Sequence, residues 1–215
     1  MTEQVANVDS GLDSPPRAMI VYLHGFRSSP LSIKARATRR YVDAMPAAVR
    51  PRLFVPDLGD RPAAAIAKVL AIVDEQRAPG DALAFIGSSL GGYYATWLAE
   101  RYGCRAVLLN PAIDPAKGLR DHVGLLKMYH SDDTFVFRPE YLDELRAIDV
   151  PMISFPQRYY LIAAKGDELI DWRDMVAHYP GARIRVLEGS DHSLTDFADY
   201  GYEVLEFAGI RGAGG

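Results

Sequence analysis

The chain has 215 residues, of which 49% are hydrophobic and 24% are charged, a composition that suits a globular protein with a buried core and excludes a disordered one. The formal net charge of −4 offers no basic surface for a polyanion, so we expect no nucleic-acid partner. No apolar run approaches the roughly 20 residues that a membrane-spanning helix needs, so we expect no membrane partner either.

The cysteine content and the two ends of the chain bear on location and domain limits. Cys104 is the only cysteine, so no intramolecular disulfide can form, and we expect it to be a small core residue. Residues 1–17 lack both the basic start and the apolar run of a secretory signal, which favours a cytoplasmic location. We expect residues 1–17 and the glycine-rich residues 211–215 to be flexible tails around a single domain at 18–210.

Apolar runs of strand length alternate along the chain with stretches of helical periodicity. In chain order the pattern predicts strands at 18–23, 53–55, 82–86, 106–109, 160–164 and 183–187, and helices at 33–45, 63–77, 90–102, 171–179 and 197–210. Apolar strands need cover on both faces, and strands separated by helices run parallel. The sequence therefore predicts an α/β fold with a compact, mostly parallel six-stranded sheet and helices on both faces. The last strand alternates in polarity, which suits a sheet edge.

Residues 111–157 interrupt this alternation. Connections between strands and helices usually take about 2–6 residues, and this segment is far longer. It is either an elaborated crossover or a cap over a binding site. Its apolar side chains have no partner within the predicted sheet, so we expect them to form a pocket wall in which Phe135 and Phe137 contact the substrate.

The strongest local signal is the pentapeptide Gly87-Ser88-Ser89-Leu90-Gly91, which directly follows an apolar strand and directly precedes a helix. This context is typical of the G-x-S-x-G nucleophile elbow of the α/β-hydrolase fold, where a strained turn lifts the serine hydroxyl above the sheet. The start of the helix also favours developing negative charge. We therefore predict Ser89 as a nucleophile, the alternative being a glycine-rich turn with incidental serines.

A nucleophilic serine needs an oxyanion hole and a base. The first strand ends in His24-Gly25-Phe26, where this fold carries its second oxyanion donor. We predict the backbone N–H groups of Phe26 and Leu90 as the two donors, with Phe26 also contacting the substrate. His24 is expected to hold the loop in shape rather than to act as the base.

The other members of a triad follow the serine in the order acid, then histidine. Asp167 comes just after the strand at 160–164 and His192 just after the strand at 183–187, at the strand ends where parallel sheets place catalytic groups. We predict His192 as general base and Asp167 as the acid that orients it, with Asp114 as an alternative acid. The remaining histidines have no matching partners and are expected at the surface: His122, His130 and His178.

Two further patterns concern cofactors and charge. Asp132 and Asp133 are adjacent but have no third ligand at useful spacing, and no phosphate-binding glycine motif is present, so we expect neither a metal nor a cofactor. A cluster of cations follows the oxyanion loop, namely Arg27, Lys34, Arg36, Arg39 and Arg40. It is either a solvated helix face or a grip on an anionic part of a substrate.

With these residues identified, the chain resembles the small YqiA/YcfP-type α/β-hydrolase esterases. The motifs that carry the resemblance are YLHGFRSSP at 22–30, GSSLGGYYATWLAERYG at 87–103, LLNPAI at 108–113, GDELIDWRDMV at 166–176 and EGSDHSLTDFADY at 188–200. The resemblance implies esterase activity on acyl esters or thioesters, with Ser89, Asp167 and His192 matching the triad of the family. Residues 114–157 match least well, so the resemblance implies no particular substrate.

The sequence thus predicts a serine esterase that hydrolyses carboxylic-ester or thioester bonds of a small molecule through an acyl-serine intermediate. Two alternatives stay open. One is an acyltransferase with the same acyl-enzyme, and the other is a hydrolase-fold binding protein without catalysis.

Overall fold

A computed structural model describes residues 18–128 and 132–209 of the chain. Its strands are β1 (Ala18–Leu23), β2 (Arg52–Phe54), β3 (Ala82–Ser88), β4 (Arg105–Leu109), β5 (Gly124–Lys127), β6 (Thr134–Phe137), β7 (Tyr159–Ala164) and β8 (Arg183–Leu187). Its helices are α1 (Ile33–Asp43), α2 (Pro62–Gln76), α3 (Leu90–Tyr102), α4 (Pro115–Gly118), α5 (Pro139–Arg146), α6 (Trp172–His178) and α7 (Gly201–Phe207). The two tails predicted at 1–17 and 211–215 lie outside the described residues.

The main sheet has six strands in the order β2-β1-β3-β4-β7-β8, and every neighbouring pair in it is parallel. The predicted mostly parallel six-stranded sheet is therefore confirmed. The strand β8 lies at one edge, as its alternating polarity predicts. Because all six strands run the same way, their carboxyl ends meet at one edge of the sheet, where this class of fold binds its ligands.

The strand β1 shows how the sheet is buried on both faces. Met19, Val21 and Leu23 point to one side, into a cluster completed by helices α2, α3, α5 and α6. Ile20 and Tyr22 point to the other side, into a cluster completed by α1 and α7. Successive side chains of a strand face opposite ways, so a strand buried on both faces must be apolar at every position, as this one is.

The segment 111–157 folds into small elements of its own. It contains α4, a 3₁₀ turn at Arg120–His122, the antiparallel hairpin of β5 and β6, and α5. Phe137, Leu142 and Leu145 are buried in the same cluster as α2 and α3. The described residues of the segment thus form an elaborated crossover between β4 and β7, and part of it adds to the core on one face of the sheet.

The closing helix differs from its prediction. In place of one helix over 197–210, the structure has a 3₁₀ turn at Phe197–Asp199 followed by α7. Tyr200 between them has a non-helical backbone, and a Cβ on Gly201 would lie 2.6 Å from the ring of Tyr41. Glycine at position 201 therefore lets α7 begin close against α1, a contact that helical periodicity in the sequence does not reveal. In the described part of the chain, no helix is both long and apolar enough to cross a membrane.

Candidate active site

The turn between β3 and α3 has the geometry of a nucleophile elbow. Ser89 has φ 54° and ψ −123°, a strained conformation that costs a residue other than glycine about 1–3 kcal/mol. Its neighbours allow the turn to be this tight. A Cβ on Gly87 would lie 2.2 Å from the carbonyl oxygen of Gly91, and one on Gly91 would lie 2.1 Å from that of Leu23. Glycine is therefore required at both positions, and the serine hydroxyl projects at the carboxyl edge of the sheet.

Ser89, His192 and Asp167 form one hydrogen-bonded chain. The imidazole Nε2 of His192 lies 3.1 Å from the Ser89 hydroxyl, and its Nδ1 lies 2.8 Å from a carboxylate oxygen of Asp167. The Asp167 side chain is fully buried, and its other oxygen accepts the N–H groups of Leu169 and Ile170 at 2.8 and 2.9 Å. The carboxylate is thus held on both oxygens, with one of them directed at the imidazole.

Asp114, the alternative acid, has a different position. Its carboxylate accepts the N–H of Lys117 at 3.0 Å and so caps the first turn of α4. The side chain is exposed and lies along the wall of the cleft described below. The structure brings Asp167, and not Asp114, to the imidazole of His192.

Asn110 is a further residue of the site, and the sequence reasoning did not single it out. It follows β4, is fully buried and has φ 45°. Its amide nitrogen donates to the carbonyls of Asp191 and His192 at 3.0 and 3.2 Å, and its amide oxygen accepts the N–H of Ala164 at 2.8 Å. Asn110 therefore joins the ends of β4 and β7 to the loop that carries His192. The sequence feature that could have identified Asn110 is its place as a polar residue directly after an apolar strand, within LLNPAI.

The predicted oxyanion donors lie on either side of the serine. Leu90 is the first residue of α3, and the loop after β1 packs so closely that a Cβ on Gly25 would lie 3.1 Å from the Cβ of Ser89. Within residues 18–128 and 132–209, neither the N–H of Leu90 nor that of Phe26 donates to another protein atom. Both N–H groups are thus available to an incoming oxygen.

His24 is buried behind this loop. Its Nε2 accepts the N–H of Leu58 at 3.1 Å, and its Nδ1 lies 3.0 Å from the carbonyl of Gly25. Burial lowers the pKa of His24, which favours the neutral ring that these contacts require. His24 holds the loop in shape, as predicted.

A cleft of about 1370 Å³ opens over Ser89 and His192. The residues around α4 and the loop before α6 give it apolar walls, among them Ile113, Leu119 and Ile170. Residues of β1 and of the start of α1 give it polar walls. The lining is therefore mixed, with carboxylates at Glu168, Asp171 and Asp174 as well, and a cleft of this kind around a nucleophile suits a small molecule that has both apolar and polar parts.

Residues 19–209 match the model of an uncharacterised protein family, UPF0227. The chain belongs to this family. It is the YqiA-type family that the sequence motifs resemble, so that interpretation is confirmed. This UPF0227 member also resembles solved structures over most of its length.

Three of these structures show the range of the likeness. Est1E from Butyrivibrio proteoclasticus superposes with a TM-score of 0.69 at 16% identity, over 89% of this chain and 87% of that one. The esterase domain of a Rhodothermus marinus protein gives 0.66 at 19% identity, over 92% and 88%. Mouse alpha/beta hydrolase domain-containing protein 10 gives 0.66 at 16% identity, over 87% and 86%. At such identities the likeness shows the fold, and the predicted α/β-hydrolase fold is confirmed.

Phe135 and Phe137, predicted to contact the substrate, take a different position in the structure. Neither residue lines the cleft. Their rings pack edge-to-face against Phe26 at centroid distances of 5.8 and 5.2 Å, and Phe137 is fully buried. Residues two apart on β6 share one face, and the hairpin turns that face toward the core. The two rings therefore support Phe26, which does line the cleft, from behind.

The other residues considered in the sequence analysis differ in how deeply they are buried. Lys34 is buried and lines the cleft. Three other cations of the cluster are exposed and do not line the cleft, namely Arg36, Arg39 and Arg40. Arg27 donates to the carbonyl of Lys127 at 2.6 Å. His122 is exposed and His178 half-buried, both along the cleft, while His130 lies outside the described residues. Burial raises the pKa of the Cys104 thiol to about 12, so the thiolate is disfavoured. Among the residues the structure describes, no group of three metal-binding side chains is found.

Proposed function

We propose that this protein is a serine esterase that hydrolyses carboxylic-ester or thioester bonds of a small molecule through an acyl-serine intermediate. The observation that carries the proposal is the hydrogen-bonded chain from Asp167 through His192 to Ser89, ending on a strained elbow at the floor of a cleft. The names of the structural relatives, an esterase domain and Est1E among them, support the same class of reaction.

In the proposed reaction each group has one step. The Ser89 hydroxyl attacks the substrate carbonyl while His192 Nε2, at 3.1 Å, takes its proton. The buried Asp167 carboxylate orients the imidazole and stabilises the imidazolium. The N–H groups of Phe26 and Leu90 hold the oxyanion of the tetrahedral intermediate. His192 then gives its proton to the leaving alcohol or thiol, and a water, activated by the same imidazole, releases the acid from Ser89.

A fluorophosphonate probe and a panel of esters test this proposal. The purified protein should be labelled by the probe and should hydrolyse p-nitrophenyl esters, acyl-CoA thioesters or both. Ser89→Ala should abolish labelling and lower kcat by about 10⁶, because the nucleophile is lost, without unfolding the protein. Ser154→Ala, at an exposed serine away from the cleft, is the matched control. A Ser89→Ala protein that keeps a tenth of the wild-type activity would exclude Ser89 as the nucleophile.

A further inference from the structure

Beside Ser89, one part of the cleft wall is made of hydrogen-bond donors. We refer to Tyr22, Ser32, Lys34 and Ser88 as the donor niche. All four residues line the cleft. Tyr22 comes from the end of β1, Ser32 and Lys34 from the start of α1, and Ser88 directly precedes the candidate nucleophile.

Tyr22 contributes a buried hydroxyl to the niche. It is fully buried, and within the described residues its oxygen forms no hydrogen bond. Burial raises the pKa of Tyr22, while the neighbouring hydroxyls of Ser32 and Ser88 act in the opposite direction. A buried hydroxyl without a hydrogen bond is costly in a folded protein, so a ligand group that reaches Tyr22 from the cleft would relieve this cost.

Lys34 is a buried cation that is only partly compensated. Its residue exposure is 8%, and its ammonium donates to the carbonyl of Ser193, next to His192. An ammonium carries three donors, and this carbonyl is its one hydrogen-bond acceptor in the described part of the chain. Burial lowers the pKa of Lys34 to about 8, although the charges of Asp191 and Asp167 raise it. The two carboxylates therefore do not fully offset the cost of burying this charge.

Those carboxylates are also engaged elsewhere. Asp167 binds His192 and two backbone N–H groups, and an oxygen of Asp191 accepts the N–H of Thr195 at 3.2 Å. The start of α1 adds to the excess of donors. Ser32 caps this helix of 11 residues by accepting the N–H of Ala35, and the positive end of the helix dipole lies at the niche.

We propose that the donor niche binds an anionic oxygen group of the substrate, a carboxylate or a phosphate. This inference rests on the proposed function, because it places the anion on the ester that Ser89 attacks. Lys34 and the Tyr22 hydroxyl donate to the anionic oxygens, and the apolar walls near α4 and α6 take the rest of the molecule. The substrates of this site are then acidic esters or thioesters rather than plain alkyl ones.

Matched substrates test the proposal. Three p-nitrophenyl esters of one chain length should be compared, ending in a carboxylate, a phosphate or a neutral carboxamide. The wild type should show a kcat/KM at least about tenfold higher for one charged ester than for the carboxamide, since a charge-assisted contact is strong. The preferred ester tells carboxylate from phosphate. Lys34→Met should bring the ratio close to one, and Tyr22→Phe should lower it. Arg36→Met, which removes an exposed charge from the same helix, should keep it.

A binding measurement separates this inference from the proposed function. Calorimetry on Ser89→Ala should show tighter binding of the free charged acid than of its carboxamide, and Lys34→Met in that background should remove the difference. If the wild type hydrolyses no ester and Ser89→Ala still shows this binding selectivity, the proposed esterase function is refuted and the anion-binding niche is supported. Equal kcat/KM and equal binding for charged and neutral compounds would overturn the niche. So would a Lys34→Met protein that loses the same factor on all three esters, because Lys34 would then only hold the Ser193 carbonyl.

Discussion

Two aspartates with the same side chain differ in this protein in their burial and in their hydrogen-bond partners. Asp167 and Asp114 both follow core strands, yet the first is buried against an imidazole and the second is exposed on a helix start. A carboxylate that orients a histidine must be fixed as well as near. The two backbone N–H groups on the far oxygen of Asp167 supply that fixation.

This contrast predicts unequal effects of two matched substitutions. Asp167→Asn should leave the fold intact and lower kcat by about 10⁴, because the amide favours the wrong histidine tautomer. Asp114→Asn should change kcat far less, since its carboxylate caps α4. Steady-state kinetics on one ester, with circular dichroism for the fold, measure both effects. A reversal of the two would make Asp114 the triad acid.

Lys34 gives a pH dependence of stability. Its pKa is lowered by burial from the ordinary 10.5 to about 8, so between these values the unfolded chain binds the proton and the folded one does not. The free energy of unfolding should therefore rise with pH across this window, because stability rises wherever the unfolded state binds more protons. The full rise amounts to about 3 kcal/mol at 1.36 kcal/mol per pKa unit.

Urea unfolding at pH 7.5 and pH 10 measures this rise. Other groups titrate in the same range, so the quantity to compare is the change between wild type and Lys34→Met, which lacks the titrating amine. If both proteins respond alike to pH, Lys34 is better solvated than its burial indicates.

At the scale of elements, the hairpin of β5 and β6 acts on the cleft through the core. Phe137 is fully buried and packs against Phe26 and Tyr141, and Phe135 is half-buried against Phe26. The hairpin is therefore a support for the wall of the cleft, and its aromatic residues contribute to stability.

Phe137→Ala should lower the free energy of unfolding by about 3–5 kcal/mol, the usual cost of truncating a buried phenylalanine. Phe135→Ala should cost less, because that ring is partly exposed. The preference for acyl-chain length should change less in either variant than in Phe26→Ala, whose ring lines the cleft. Denaturant unfolding and a chain-length series of esters make the comparison. A change of chain-length preference in Phe135→Ala that matches Phe26→Ala would put the hairpin in the pocket after all.

Asn110, at the end of β4, links two other segments: the end of β7 and the loop that carries His192. Asn110→Ala leaves the buried N–H of Ala164 without its acceptor, at a cost of about 1–3 kcal/mol, and removes the donors from the half-buried carbonyls of Asp191 and His192. We expect lower stability together with lower kcat, because the loop carrying His192 loses its anchor. Hydrogen exchange of residues 190–194 should quicken in this variant. Unchanged exchange in that loop would mean that other contacts hold His192 in place.

At the scale of the whole molecule, the parallel sheet brings the candidate site together. Ser89, Asp167 and His192 follow β3, β7 and β8, and the loop with Phe26 follows β1, so residues far apart in the chain meet at one edge. The strands and the order of the site residues were predictable, because apolar runs, helical periodicity and the glycines of the elbow are local properties of the sequence. The sheet is confirmed, and the roles of the site residues stay predictions.

Tertiary structure alone decided three further points. Which acid reaches His192, which cation of the basic cluster is buried, and which way Phe135 and Phe137 face all depend on contacts between segments distant in the chain. The sequence does not distinguish Lys34 from the arginines that follow it, yet among the cations of α1 only Lys34 is buried, and its ammonium donates to a carbonyl of the loop after β8. A residue type sets what chemistry is possible, and burial by distant segments sets which of those possibilities is realised, because solvation and charge depend on every atom packed nearby.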